Sequence, residues 1–228
     1  MIYSHKVFHI EGTDDRRSKL AQNINEYLSG DSTLLDTPTI KISNIEEYDK
    51  FLLENKNFVP DTSGYELDGL SGWKMGEIGI WASNWTAWIN FLKSDHEYLI
   101  LMEDDIVHNE NFMPLINYYV SQLPENWDIF HAFSPADQFP KYNDTHDIGA
   151  RDICKAYQDW SCLCYIINKR GAKKLLMNAH LFNLPLDWYM FRQQDIFNVY
   201  TLKPKSEFPC TLMSLDSTFQ LSETRKIL

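Results

Sequence analysis

The chain has 228 residues, 44% of them apolar and 14% aromatic, and a formal charge of −11 from 32 acidic and 21 basic side chains. That is the size of one large domain with ample material for a core, which excludes a disordered chain. The acidity excludes a nucleic-acid backbone as partner, because phosphate chains call for a basic face; a phosphorylated small molecule stays open to it if a divalent cation offsets the charge.

The first residues, "MIYSHKVFHIEGTDD", carry no apolar stretch of signal-peptide length, and no segment approaches the ~18 apolar residues of a membrane span. Cys154, Cys162, Cys164 and Cys210 are too few and too scattered for a disulfide scaffold and are expected to be reduced thiols. The expectation is a cytoplasmic protein with no transmembrane segment. Cys162 and Cys164 sit inside the apolar run "SCLCYII" with no second cysteine pair nearby, which favours a core strand over a metal site.

In chain order, "KVFHIE" predicts a strand, and "DDRRSKLAQNINEYL" a helix with Leu20, Ile24, Tyr27 and Leu28 at helical spacing. "TPTIKIS" predicts a second strand. Ser43 and Glu46 form a capping box for a helix striped with Ile45, Tyr48 and Leu52. "VPDTSGYELDGLSGW" is a loop. "MGEIGIWASNWTAWINFLKS" is the clearest helix, with Ile78, Trp81, Ala82, Trp85, Ile89 and Leu92 on one face. "EYLILM" predicts a buried strand, "FMPLINYYVSQL" a helix and "NWDIFHAF" a strand. Residues 134–152 form a long polar loop, a class that is often functional. "SCLCYIIN" is a strand, "RGAKKLLMNA" and "LDWYMFRQQ" are helices, and "IFNVYTL" is a late strand. Alternating strands and helices predict one α/β domain over residues 1–228, with a mainly parallel central sheet flanked by helices.

In "EYLILMEDDIVHNENF" the buried strand runs straight into Glu103, Asp104 and Asp105. Ligands of such sheets sit beyond the carboxyl ends of the strands. Extended backbone would point Glu103 and Asp105 to the same side and turn Asp104 away. Two convergent carboxylates repel unless a proton or cation intervenes, and their hard oxygens suit Mn²⁺ or Mg²⁺. The same residues also read as an acidic, solvated loop capping the next helix.

"LILMEDDIVHNENF" resembles the acidic-motif segment of glycosyltransferase family 25, which includes lipopolysaccharide and procollagen galactosyltransferases. Further segments resemble the family in the same order: "DDRR", "LDG" at Leu67 to Gly69, "GEIGIWASNWTAW" through Gly76, Glu77, Ile78, Gly79, Ser83 and Trp88, "YIINKRGAKKLL", and "LPLDWYM". The resemblance covers roughly residues 6 to 220. Three positions depart from it: Ile80 stands where the family usually has Cys, Asn84 where it usually has His, and "HIEG" where it usually has Ile-Asn-Leu.

The resemblance implies a GT-A fold and inverting transfer of a hexose, galactose or glucose, from UDP-galactose or UDP-glucose to a glycan or protein hydroxyl. It implies Mn²⁺ or Mg²⁺ on Glu103 and Asp105, and a donor site drawing on Arg16, Arg17, Asp68, Gly69, Glu77, Ser83, Asn84 and Asp104. The attacking hydroxyl needs a general base, for which Asp187 is the candidate; a helix cap is its bland alternative, and Asp137, Asp159 and Asp216 compete. Trp73, in a loop, suits a sugar platform, while Trp81, Trp85 and Trp88 suit the core. His108, His131 and His146 are each read as ordinary surface or core histidines before extra ligands. Two other classes stay open: a metal-dependent phosphoesterase, and a non-catalytic sugar-nucleotide or glycan-binding protein on the same scaffold, motivated by Asn84 and Ile80.

Overall fold

The computed structural model describes residues 3–9, 18, 22, 34–38, 40, 42, 45–58, 66–67, 70–71, 75–133, 142–157, 162–178, 185–192 and 195–212. The strands are β1 (Tyr3–His9), β2 (Leu34–Pro38), β3 (Glu66–Leu67), β4 (Leu70–Ser71), β5 (Tyr98–Glu103), β6 (Ile106–His108), β7 (Ile129–His131), β8 (Ile153–Lys155), β9 (Cys164–Asn168), β10 (Val199–Leu202) and β11 (Cys210–Leu212). The helices are α1 (Ile45–Glu54), α2 (Met75–Lys93), α3 (Phe112–Gln122), α4 (Lys169–Met177) and α5 (Leu186–Arg192).

Seven strands form one sheet in the order β2-β1-β5-β9-β7-β10-β8, and two short pairs, β11-β6 and β3-β4, stand apart from it. β2, β1, β5, β7 and β10 point one way and β9 and β8 the other, so five of the seven strands share a direction. This is the mainly parallel α/β sheet that the alternation of elements predicted. Leu99, Ile100, Leu101 and Met102 of β5 are all at most 1% exposed, because helices cover both faces and leave no polar side for the strand to alternate with.

Side chains alternate across the sheet at period two. Leu99, Leu101, Ile129, Tyr165, Ile167 and Val199 pack with residues of α1, α2, α4 and α5 in one core. Ile100, Met102, Phe130, Cys164, Ile166 and Tyr200 pack with α3 in the other. α2 belongs so fully to the first core that it is buried nearly all round. Ser83, Asn84, Ala87, Trp88 and Phe91 are buried beside the predicted stripe, whereas Ile89 and Leu92 are only partly covered. A single apolar face was therefore too narrow a description of this helix. Its last carbonyls are closed from outside: Lys169 Nζ donates to Phe91 O and, at 2.6 Å, to Ser94 O, with the ammonium 4.4 Å from the Phe91 ring centre.

The second strand lies upstream of its predicted place. β2 pairs with β1 from His5↔Leu34 to His9↔Pro38, ending on a proline that has no N–H to extend an edge-strand ladder. Ile40 and Ile42 then leave the sheet, and the Ile40 N–H donates to Ser83 Oγ of α2 at 2.8 Å. The short strands β6, β8 and β11 carried no pattern long enough to read. The predicted helix after the first strand lies outside the described residues except for Ser18 and Gln22, both helical; Ser43 of the capping box also lies outside.

α4 explains the segment "NKRGAKKLL". Asn168 caps the helix, accepting from the Gly171 N–H at 2.8 Å. Gly171 lets α4 touch the backbone before β7: a Cβ there would lie 2.3 Å from Asp128 O. The fully buried Asp128 carboxylate accepts from Arg170 Nε at 2.7 Å, Lys174 Nζ at 2.6 Å and the Asn198 N–H at 2.9 Å. Gly171→Ala should lower the denaturant midpoint: an overlap costs about 1–3 kcal/mol or more against ~1 kcal/mol of helix propensity gained. An unchanged or raised midpoint would show that α4 shifts freely on β7.

Candidate active site at the carboxyl edge of the sheet

β5, β7 and β10 deliver their last residues to one edge, and the reversed β9 begins there. Glu103 closes β5 in that row: its N–H donates to Leu163 O at 3.0 Å, and its alternation continues Leu99 and Leu101, so its side chain stands on the α2–α5 side. The extended chain stops at this residue. Asp104 and Asp105 form a turn into β6, so period two cannot be carried through Asp105. Asp104 is only 3% exposed, while Glu103 and Asp105 are half-buried and Asp105 Oδ1 is shut off from solvent.

α5 brings the second carboxylate to this row. It starts after Pro185, whose carbonyl accepts the Tyr189 N–H at 2.8 Å. Asp187 lies in the first turn, where the helix dipole favours an anion, and its Oδ1 accepts the Trp188 N–H at 2.9 Å. Cys162 lies just upstream of β9, with Sγ 3.9 Å from Met190 Sδ of α5. Burial first, then the charges of Asp187 and of Glu103, push the Cys162 thiol well above its usual range. Glu103 and Asp187, far apart in sequence, both contribute to the field at this thiol.

Beneath them lies a neutral polar floor. Tyr165 OH donates to Asn84 Oδ1 and accepts from Trp88 Nε1 at 3.1 Å. Asn84 Nδ2 donates to Ile80 O at 2.8 Å. Burial, then Cys162 and Glu103, raise the Tyr165 phenol well above its ordinary value against the Trp88 bond, which lowers it. On its other flank α2 meets backbone directly: a Cβ on Gly79 would lie 2.5 Å from Ile40 O. Ser83 Oγ bridges this contact, donating to Gly79 O at 2.7 Å while accepting from Ile40.

The predicted residues divide accordingly. Glu103 ends β5, Asp105 lies in the turn that follows, Asp187 is in the first turn of α5, and Glu77 is half-buried in the first turn of α2. Ser83 and Asn84, expected to face a donor, are 2% and 3% exposed, and their polar atoms hold α2 to Ile40 and to Tyr165. Asp104, expected at the donor, is packed away. Arg16, Arg17, Asp68, Gly69, Trp73, Asp137, Asp159 and Asp216 lie outside the described residues. Trp81, Trp85 and Trp88 are core, as expected. His108 is buried with Nε2 2.9 Å from Met102 Sδ, and His146 closes a capping box with Asn143. Cys162 and Tyr165 were missed because "SCLCYII" reads as plain core; only the hydroxyl and thiol within that run hinted otherwise.

Among the described residues no group of three His, Cys, Asp or Glu side chains is arranged to hold a metal ion. The carboxylates of Glu103 at the strand end and Asp105 in the following turn nevertheless have the oxygen chemistry that suits Mg²⁺ or Mn²⁺, which are commonly held by one or two carboxylates and completed by water and substrate phosphates. Glu103 and Asp105 are the residues that would hold it.

His131 ends β7 fully buried, its ring 4.2 Å from Phe191 of α5 and 5.8 Å from Tyr165, centre to centre. Neither ring nitrogen has a hydrogen-bond partner among the described residues. Burial pushes its imidazole down to about 3 from 6.5. Between those values the unfolded chain holds a proton that the folded one lacks, so stability falls as pH drops from 6.5 towards 3, by up to about 1.4 kcal/mol per unit. His131→Phe should flatten that part of the stability–pH curve; parallel curves for the two proteins would refute the assignment.

The model of the family described as "Glycosyltransferase family 25 (LPS biosynthesis protein)" matches residues 10–190. The chain is 28% identical over 152 residues to a procollagen lysyl hydroxylase and glycosyltransferase of Acanthamoeba polyphaga mimivirus, spanning 62% of this chain and 16% of that protein. It is 28% identical over 123 residues to a glycosyltransferase 25 family member of Aedes aegypti, spanning 51% of this chain and 19% of that one. The match thus spans less than a fifth of either relative. A solved Drosophila β-1,4-galactosyltransferase 7 mutant, in complex with manganese, UDP-Gal and xylobiose, covers 99% of this chain and 79% of its own at 9% identity, with a TM-score of 0.43. With the family model matched over residues 10–190, most of its 228 residues, the chain belongs to glycosyltransferase family 25.

Proposed function

We propose that this chain is a metal-dependent inverting glycosyltransferase that moves a hexose from UDP-galactose or UDP-glucose to a hydroxyl of a glycan or protein acceptor. The observation that carries this reading is the placement of Glu103 at the carboxyl end of the buried strand β5, with Asp187 in the first turn of α5, in a chain whose residues 10–190 match the family model. An inverting transfer needs one carboxylate on the side of the leaving diphosphate and another on the side of the attacking hydroxyl, with the reacting sugar between them. Family membership supports the reaction class. The choice of a uridine donor and of galactose or glucose rests on the family alone.

In this reading Glu103 and Asp105 hold a divalent cation, which when bound supplies Lewis-acid stabilisation of the charge building on the departing diphosphate. Asp187 accepts the proton of the acceptor hydroxyl as its oxygen attacks the anomeric carbon. Its place in the first turn of α5, with the Trp188 N–H on Oδ1, fixes the carboxylate's direction. Glu77 and the N-terminal turn of α2, together with Arg16, Arg17, Asp68 and Gly69, are proposed to meet the donor. Ser83, Asn84 and Asp104 serve it from behind, by holding the wall and the strand end in place. The departure at Asn84, which had motivated a non-catalytic reading, loses that force: both ends of its amide are engaged in the fold.

A thermal-shift screen of nucleotide sugars with and without Mn²⁺ tests the donor, since a ligand that binds only the native state raises the melting temperature. UDP-galactose or UDP-glucose should stabilise the protein in the presence of Mn²⁺, and Asp105→Ala should abolish that shift and the transfer while leaving the apo melting temperature near wild type. A shift confined to guanine or cytidine nucleotide sugars would refute the uridine donor. Asp187→Asn should lower kcat by about 10²–10⁴ with donor affinity nearly unchanged; equal losses in binding and turnover would move Asp187 into the donor pocket.

A further inference from the structure

α2 carries the family-like motif "GEIGIWASNWTAW", and the structure accounts for most of its side chains. Ile78, Trp81, Ala82, Trp85 and Trp88 are core. Gly79 and Ser83 form the contact with Ile40, and Asn84 holds Tyr165. One large apolar side chain of the motif is left over: Ile80 is 39% exposed on a helix otherwise buried nearly all round.

The position of Ile80 follows from helix and strand geometry. It precedes Asn84 by four residues, so the two share a face, and Asn84 points at Tyr165. Tyr165 pairs with Leu101, two residues before Glu103. From Asn84 to Ile80 the helix rises about 6 Å; from Leu101 to Glu103 the strand advances about 6.6 Å. α2 runs opposite to β5, reaching it through the short connection after Lys93, so both displacements lead to the carboxyl edge. Ile80 therefore stands level with Glu103, and Glu103 presents its side chain to the α2 side. Lower on the same flank of the helix, Ala87 and Phe91 are 1% and 2% exposed; Ile80 is uncovered where the covering elements end.

We infer that Ile80 is a specificity-determining residue whose side chain packs on the C–H face of the transferred hexose. This rests on the glycosyltransferase reading above. A group level with Glu103 and on the side shared with Cys162 and Asp187 borders the space between the diphosphate carboxylates and the acceptor base, which is where the reacting sugar ring must lie; the nucleobase lies further off, beyond the diphosphate. A pyranose presents one face of C–H groups, and a branched aliphatic chain gains by covering it, whereas it offers nothing to a phosphate or hydroxyl.

The test is equilibrium binding by calorimetry, with Mn²⁺ present, of UDP, UDP-galactose and UDP-glucose to the wild-type protein and to Ile80→Ser and Ile80→Val. The expected result is that Ile80→Ser weakens the better-bound UDP-hexose by about three- to tenfold, as for loss of one or two buried methylene contacts, leaves UDP affinity unchanged, and keeps the wild-type melting temperature. Ile80→Val should recover most of the loss. Equal weakening of UDP and UDP-hexose would place Ile80 on the nucleotide, and unchanged affinity for all three would remove it from the site; either result overturns the inference. If wild-type protein binds none of the three while its melting temperature and fold are intact, the glycosyltransferase reading itself falls, and this inference with it.

Discussion

The reversed strand β9, set between β5 and β7, is the constraint on which the site depends. Because it runs against its neighbours, it starts at the edge where they finish, so the residues just before it, Cys162 and Leu163, lie beside the end of β5. The bond from the Glu103 N–H to Leu163 O fixes the height of the first carboxylate against that start. The far end of β9 passes directly into α4, which is locked onto the opposite edge by Asp128, Arg170 and Lys174. The chain then returns as α5 with Asp187 in its first turn. A parallel strand in this position would have begun at the other edge and carried Cys162 away from both carboxylates.

α2 is the second fixed body, and its rigidity has a local origin. It is held by backbone contact at Gly79, by a hydroxyl bridge at Ser83, by an amide–phenol bond at Asn84 and by the indole N–H of Trp88. Its far end is closed by Lys169, so it is tied to β9's helix as well as to β9. A ligand site built on such an element loses little entropy on binding, because few of the groups that face the ligand have anywhere else to go. The glycine at 79 serves close approach, not flexibility: any side chain there would meet the Ile40 carbonyl.

Much of this was legible from the residues. The four apolar residues before Glu103 announced a strand buried on both faces, and the position of the acidic cluster at its end followed from the behaviour of parallel sheets. The helical character of α2 and the order of the longer strands and helices were equally visible. What was hidden came from long-range pairing. No local pattern reveals that Ile40 would leave its strand to bond Ser83, or that Asp104 would turn inward because β6 pairs with β11 from the far end of the chain. Ser83 and Asn84 looked like ligand groups because they are polar residues in a family-like motif; their partners, Ile40 and Tyr165, lie some forty and eighty positions away, and only the fold brings them together. The thiol at Cys162 was disguised by its apolar neighbours, because it packs against the same core.

The floor of the site is electrically silent. The Cys162 thiol and the Tyr165 phenol are both pushed up by burial and by the carboxylates nearby, so both keep their protons at neutral pH, and Asn84 is an amide that cannot titrate. The Asn84 nitrogen is committed to Ile80 O, so it is the oxygen that meets Tyr165, and the phenol proton is directed down into the helix and not up towards Glu103. The negative charge at the edge is therefore left to the carboxylates of Glu103, Asp105 and Asp187, and the Tyr165 proton, committed to Asn84, does not soften it. A diphosphate approaching three carboxylates on a chain of charge −11 is repelled unless a divalent cation arrives with it. In the proposed reaction this makes cation and donor binding a single event, and it reserves Asp187, on a different element from Glu103 and Asp105, for the acceptor's proton.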